Sequence, residues 1–146
     1  MSDHHPILEA FLKGGGGPLA MREPLGASLK GVILQMDPEA GAATVSFDPG
    51  EQFLQGGGAI QGGIVTAMLD YAMALAAFSR LPAGKSFGTV SITTHFLKPA
   101  RTGLHVARAS LDRMGGSMIF ASGTLTKDGA DAPLATGTGV MAITSR

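Results

Sequence analysis

The sequence predicts an α+β protein in which an antiparallel sheet wraps one buried helix. Three observations carry this expectation. The first is Gly62–Arg80, GGIVTAMLDYAMALAAFSR, which is rich in Ala, Leu and Met and free of Gly and Pro from Ile64 until Pro82, the pattern of a helix. Its apolar residues Ile64, Val65, Met68, Leu69, Tyr71, Met73, Leu75 and Phe78 cover nearly the whole circumference, which marks a helix enclosed by other elements. The second is a set of about six strand-like runs joined by short turns, and short connections make neighbouring strands antiparallel. The third is the density of 22 Gly and 8 Pro in 146 residues, read here as many turns.

Taken in order, residues 6–12 (PILEAFL) form one short amphipathic helical turn, and the four glycines of 14–17, followed by Pro18, break it. We read residues 1–25 as an N-terminal segment, a docking helix on a flexible glycine-rich link, and 26–146 as the domain proper. Residues 28–36 and 41–48 read as a β-hairpin about the turn signal Asp37-Pro38-Glu39-Ala40. A glycine-rich loop over 51–58 leads to the helix. Beyond it, residues 86–97, 102–113, 117–126 and 133–144 read as strands, with tight turns at Gly115-Gly116 and Asp128-Gly129.

Composition narrows the function. Eleven basic and eleven acidic residues balance to zero, against the basic excess a nucleic-acid binder needs. With no cysteine, disulfides, thiolate metal sites and Cys nucleophiles are excluded, and four histidines, two of them at His4 and His5, offer little metal-ligand density, so no metal is expected. The mean hydropathy of +0.25 and 45% hydrophobic content describe a folded chain. No basic stretch precedes an apolar run at the N-terminus, and the run 64–78 is interrupted by Thr66 and Asp70, so neither a signal peptide nor a membrane span is expected and the location is expected to be cytoplasmic.

Asp70 stands out because it lies in the most apolar helix, with no Lys or Arg within a turn or two. Such a carboxylate either reaches solvent or a cation from elsewhere in the fold, or faces a cleft as a general base or nucleophile with its pKa raised. Gly62-Gly63 opens the same helix, whose first amides lack intrahelical partners and carry partial positive charge, a ready site for a developing oxyanion. Eight residues, about 12 Å of helix rise, separate Gly62 from Asp70, so two copies of the helix lying antiparallel across a dimer interface would be needed to serve one substrate atom. Nucleotide-loop and GxSxG patterns are absent, and His95 and His105 read as packing or surface residues on separate strands.

The stretches FLQGGGAIQGGIVTAMLDYAMALAA and TVSITTHFLKPARTG resemble hotdog-fold acyl-CoA thioesterases of the PaaI/4-hydroxybenzoyl-CoA thioesterase type, a likeness that runs over about 26–143. In that family an antiparallel sheet wraps a central helix. The signature is Asn or Gln, five residues, His-Gly-Gly, then an acid seven residues after the second Gly. It becomes Gln55, Gln61-Gly62-Gly63 and Asp70 here, with Gln61 in place of the His. The resemblance implies that the Gly62 amide polarises a thioester carbonyl while Asp70 from the partner subunit attacks it or activates a water. It also implies that Gln55 holds that water or the carbonyl, that Thr89 supports the water, and that Gly63 lies in the substrate-binding segment. Phe96, Lys98, Pro99 and Arg101 at a strand end, with Met114 and Gly116 at a turn, resemble the segments that hold the pantetheine arm and nucleotide of coenzyme A. Coenzyme A then enters as part of the substrate, with no separate cofactor, and the protein is a homodimer or a tetramer of two dimers. The expected reaction is hydrolysis of an aromatic or medium-chain acyl-CoA.

Two rivals stand beside it. Gln61 cannot exchange protons near neutral pH, which leaves room for a non-catalytic acyl-CoA-binding protein. A hotdog enoyl-CoA hydratase would need a histidine, His95 or His105, within reach of Asp70.

Overall fold

The computed structural model describes residues 5–14 and 17–145; Gly15 and Gly16 of the expected link lie outside the described residues. The elements are helix α1 (His5–Gly14), β1 (Leu19–Ala20), α2 (Pro24–Ser28), β2 (Val32–Asp37), β3 (Ala42–Phe47), α3 (Gly62–Arg80), β4 (Lys85–Phe96), β5 (His105–Met114), β6 (Met118–Lys127) and β7 (Pro133–Ser145). The sheet is antiparallel throughout, with strand order β1-β2-β3-β5-β6-β7-β4, and α3 packs on its inner face. This is the hotdog fold. α3 is long and apolar enough to cross a bilayer by length and composition alone, but it is the core helix: Met68, Leu69, Ala72, Met73, Ala76 and Ala77 are wholly buried.

The sheet beneath α3 is floored with small residues. Ala107, Ala109, Ala121 and Ala135 are buried there, and three glycines lie within the strands. A Cβ on Gly137 would come within 3.3 Å of Leu69, one on Gly139 within 3.2 Å of the Met73 sulfur, and one on Gly123 within 3.3 Å of the Arg108 carbonyl. These three glycines thus serve close helix–sheet approach, beside those such as Gly41 and Gly129 that take left-handed turn conformations. The C-terminal end of α3 is tied down by Arg80, whose guanidinium donates to the Pro38 carbonyl (2.8 Å) and to that of Glu39, in the turn joining β2 to β3.

Three expectations are corrected. The sheet has seven strands rather than about six, because Leu19–Ala20 pairs with β2. The run expected at 28–36 begins as a strand only at Val32. Residues Pro24–Ser28 are helical, with Glu23 accepting from the Gly26 N–H (2.5 Å) as N-cap and Pro24 at the first helical position, and Lys30 then turns through a left-handed φ of 51°. The run expected at 102–113 starts at His105, after Gly103 at φ 122°.

His105 is fully buried. Its Nδ1 meets the Gly103 carbonyl at 2.8 Å, so Nδ1 bears the proton, and Nε2 has no partner among the described residues. Burial above all, with Lys127 adding to it, holds the imidazole pKa below its ordinary value. The unfolded chain therefore takes up a proton that the fold refuses, and stability falls as pH drops below the unfolded pKa of about 6.5 toward the lower folded value. We expect the thermal midpoint to decline between pH 7.5 and 5, and His105→Leu to flatten the decline; an unchanged slope would show that His105 does not set it.

Candidate active site

Two clusters lie along α3. The first sits at its N-terminus. Gln61 is the N-cap, and its side-chain Oε1 accepts from the Gly63 N–H at 2.7 Å. The Ile64 and Val65 N–H groups bond to the Gln61 carbonyl, at 2.9 and 3.3 Å. Of the first four helical amides, this leaves only the Gly62 N–H without an acceptor among the described residues. Gln61 in the His position is thus the residue that caps the helix. The Phe96 ring lies against Gly62, where a Cβ would come within 3.2 Å of it, and remains 57% exposed. The preceding loop is held by contacts within itself and to the segment after β4. The Gln55 side chain accepts from the Gly57 N–H, the Arg101 guanidinium donates to the Gly58 carbonyl (3.3 Å), and the Ile60 N–H donates to the Ala100 carbonyl (2.7 Å). Gln55, Gln61, Gly62, Gly63, Phe96 and Arg101 therefore gather around one end of the helix. Lys98 and Pro99 are exposed beside them.

The second cluster is two turns further on. Asp70 is half-buried and its Oδ1 accepts from the Thr89 hydroxyl at 2.9 Å, so its partner is a hydroxyl on β4 and not a cation. Burial raises the Asp70 pKa above the usual carboxylate value, and the Thr89 hydrogen bond partly offsets this by favouring the charged form. Thr89 reaches Asp70 because β4 carries a β-bulge: Thr89 pairs with Met141 and Ser91 with Val140, leaving Val90 unpaired. The extra residue changes which alternate side chains face the helix. Thr89 faces it before the bulge, whereas Thr94, bonded to Thr66 at 2.9 Å, and Phe96 face it after.

Asp70 and Thr89 open on an apolar cavity of about 330 Å³, whose lining includes Tyr71, Leu75, Phe78 and Phe87. A cleft in front of Asp70 was among the expectations from sequence; the Glu23 at its wall was not. Glu23 caps α2 and also meets the Tyr71 hydroxyl; burial first and that carboxylate second push the Tyr71 phenol above its ordinary pKa. The Glu23-Pro24 pair, a cap followed by proline at the first helical position, was the available signal.

Other candidates stand apart. Met114 is half-buried and Gly116 exposed in the β5–β6 turn. Met118 pairs with Ala142, which pairs with Gly88, so the turn lies at the β4 end opposite Phe96 and Arg101. His95 is exposed, lines a shallow groove with Arg108, Thr124 and Thr136, and does not bond to Asp70; nor does His105. Among the described residues, a hydratase therefore lacks its Asp–His pair. Among the described residues, no three His, Asp or Glu side chains converge as a metal-binding group.

The model of the thioesterase superfamily matches residues 57–132, just over half of the chain, including Gln61, Gly62 and Asp70. The chain belongs to the thioesterase superfamily. Its activity, at that level, is thioester hydrolysis. It is similar to a phenylacetic acid degradation-related protein of Ralstonia eutropha JMP134, with 32% identity over 92% of this chain and 98% of that one and a TM-score of 0.80. A thioesterase family protein of Silicibacter pomeroyi matches with 25% identity over 95% of this chain and 99% of that one, at a TM-score of 0.81. The PaaI protein from the phenylacetic acid degradation operon of E. coli shares the fold, with 24% identity over 80% of each chain and a TM-score of 0.71. No curated protein matches the chain.

The carboxylate chemistry can be read directly. We expect a carbon-NMR titration of the Asp70 side chain to show a midpoint above that of an exposed aspartate. Thr89→Val, which removes the bond favouring the charged form, should move it further up. A midpoint that stays put in Thr89→Val would mean that the hydroxyl does not tune the acid.

Proposed function

We propose that this thioesterase hydrolyses acyl-CoA thioesters in a site shared between two protomers, with Asp70 as the base. The observation that carries the reading is a half-buried, hydroxyl-bonded carboxylate opening on an apolar cavity, on the same helix as an amide that has no acceptor among the described residues. The acyl group enters the cavity. Asp70 takes a proton from a water held with Thr89, and the water oxygen bonds to the thioester carbon. The carbonyl oxygen becomes negative against the Gly62 N–H of the partner subunit, and Gln55 of that subunit helps hold it. The C–S bond then breaks, and the CoA thiolate leaves and takes up a proton. Water activation by ionised Asp70 needs no nucleophilic cysteine.

The pairing of protomers is supported by the sheet edge. β4 is the long edge strand, and Val90, Phe96 and Leu97 are 61%, 57% and 54% exposed, an apolar edge that invites another chain. Antiparallel pairing of two such edges sets the start of one β4 beside the end of the other. That would unite Met114 and Gly116 of one protomer with Phe96, Lys98, Pro99 and Arg101 of its partner, the two groups that a single chain keeps apart. Lys98, a compact cation on an exposed strand end, suits a CoA phosphate. The homodimer is part of this reading.

Two measurements test it. With a free-thiol reagent and a panel of acyl-CoAs, we expect turnover that falls ~100-fold or more in Asp70→Asn, the scale of a lost acid–base group. Undiminished turnover would remove Asp70 from the chemistry, and binding without turnover on every ester would establish the non-catalytic acyl-CoA binder instead. By analytical ultracentrifugation we expect a dimer that Val90→Lys dissociates, with hydrolysis lost in parallel; an active monomer would refute the shared site.

A further inference from the structure

The cavity behind Asp70 is not built from α3 and the long strands alone. Along α3 its lining runs from Asp70 through Tyr71, Ala74 and Leu75 to Phe78. That is eight residues, or about 12 Å of helix rise. Along β4 it runs from Thr89 back to Ser86. Beside Ile33 of β2 and Leu81, most of the remaining wall comes from the N-terminal segment: Ile7 and Leu8 of α1, Leu19 and Ala20 of β1, and the three residues that follow β1. α1 is a ten-residue helix, shorter than the ~12–15 residues at which an isolated helix holds in water, and Leu8, Phe11 and Leu12 pack it against the core. The glycines that follow it in sequence carry no side chains with which to fix it. Its place therefore depends on the apolar surface it covers, and part of that surface is the cavity.

We infer that α1 is the specificity wall of this thioesterase, with Ile7 and Leu8 setting the longest acyl chain the cavity accepts. The inference rests on the reading that the acyl group occupies this cavity. An extended chain advances about 1.2 Å per bond, one third of the span of a three-bond residue, so ~12 Å of lining accommodates an acyl group of about ten carbons. The lining is apolar apart from the Asp70–Thr89 end, the Glu23–Tyr71 pair, Arg22 and Ser86, which suits an aliphatic chain. An acyl group that reaches the wall adds to the apolar surface holding α1, so occupancy and docking of α1 reinforce one another.

The test pairs acyl-CoA hydrolysis with the affinity of non-hydrolysable S-alkyl-CoA thioethers carrying four to twelve carbons, measured by calorimetry on the full chain. Affinity should rise about fourfold per methylene up to a limit and then fall. Ile7→Ala should move the limit to longer chains and Ile7→Trp to shorter ones, changing the ratio of ten-carbon to four-carbon affinity by about tenfold in opposite directions. Hydrogen exchange should slow at α1 amides with S-decyl-CoA but not with CoA alone. A chain-length profile that neither substitution moves, or α1 exchange indifferent to the alkyl chain, overturns the inference. These outcomes are read from binding. A protein that hydrolyses nothing yet shifts its profile refutes the proposed reaction and keeps the wall, whereas an active enzyme with an unmoved profile does the reverse.

Discussion

The closeness of α3 to its sheet is the constraint on which the rest depends. Leu69 and Met73 ride on Gly137 and Gly139, and side chains at those glycines would lift the helix. Lifting it would separate Asp70 from Thr89, whose 2.9 Å bond spans the helix–sheet gap, and Thr66 from Thr94 at the same distance. The apolar packing that makes the core also desolvates Asp70, and desolvation is the larger influence on its pKa. A carboxylate on the exposed face of an ordinary amphipathic helix would stay near its usual value. Here one packing arrangement fixes the position of the acid and tunes it.

The bulge at Val90 is the second device. A regular strand that turned Thr89 toward the helix would also turn Ser91, Thr93 and His95 toward it. The extra residue lets Thr89 face Asp70 while Thr94 and Phe96 face the N-terminal half of α3. Phe96 can then lie against Gly62, so the two ends of the candidate site are served by a single strand. Bulges beside reactive residues re-aim side chains in this way.

This explains how much of the molecule was legible in the sequence. The helix bounds came directly from the Ala/Leu/Met run between Gly63 and Pro82, and the later strands from period-two runs between turn signals, since both patterns are local. β1 was illegible because a two-residue strand has no period to read. α2 was hidden by the apolar residues that follow it, although Glu23-Pro24 marked its start. The bulge left a trace that was not used: apolar residues shift from odd positions at Phe87 to even ones at Ile92 and Phe96. In the site, the spacing from Gln61 to Asp70 located both acid and amide, because spacing on a helix is geometry. The cavity wall contributed by Ile7 and Leu8 could not be read, since it depends on where a segment far away in sequence docks.

The separation of Gly62 from Asp70 has a consequence for what one chain can do. The N-terminus of a long helix carries partial positive charge, and its unpaired amide attracts an anion. Asp70, about 12 Å along the same axis, cannot share an atom with that amide inside one protomer, because a helix does not fold back on itself. Cavity and acid lie together, as do amide, Phe96 and the exposed cations, and the two groups meet only if a second helix runs the other way alongside the first. The apolar edge of β4 supplies a reason for such pairing that is independent of chemistry, since an edge strand of twelve residues with Val90 and Phe96 exposed offers unpaired backbone groups and apolar surface to a second chain. On this reading the force that buries the edge also assembles the reaction centre, and the half-sites a single chain displays are halves of one another.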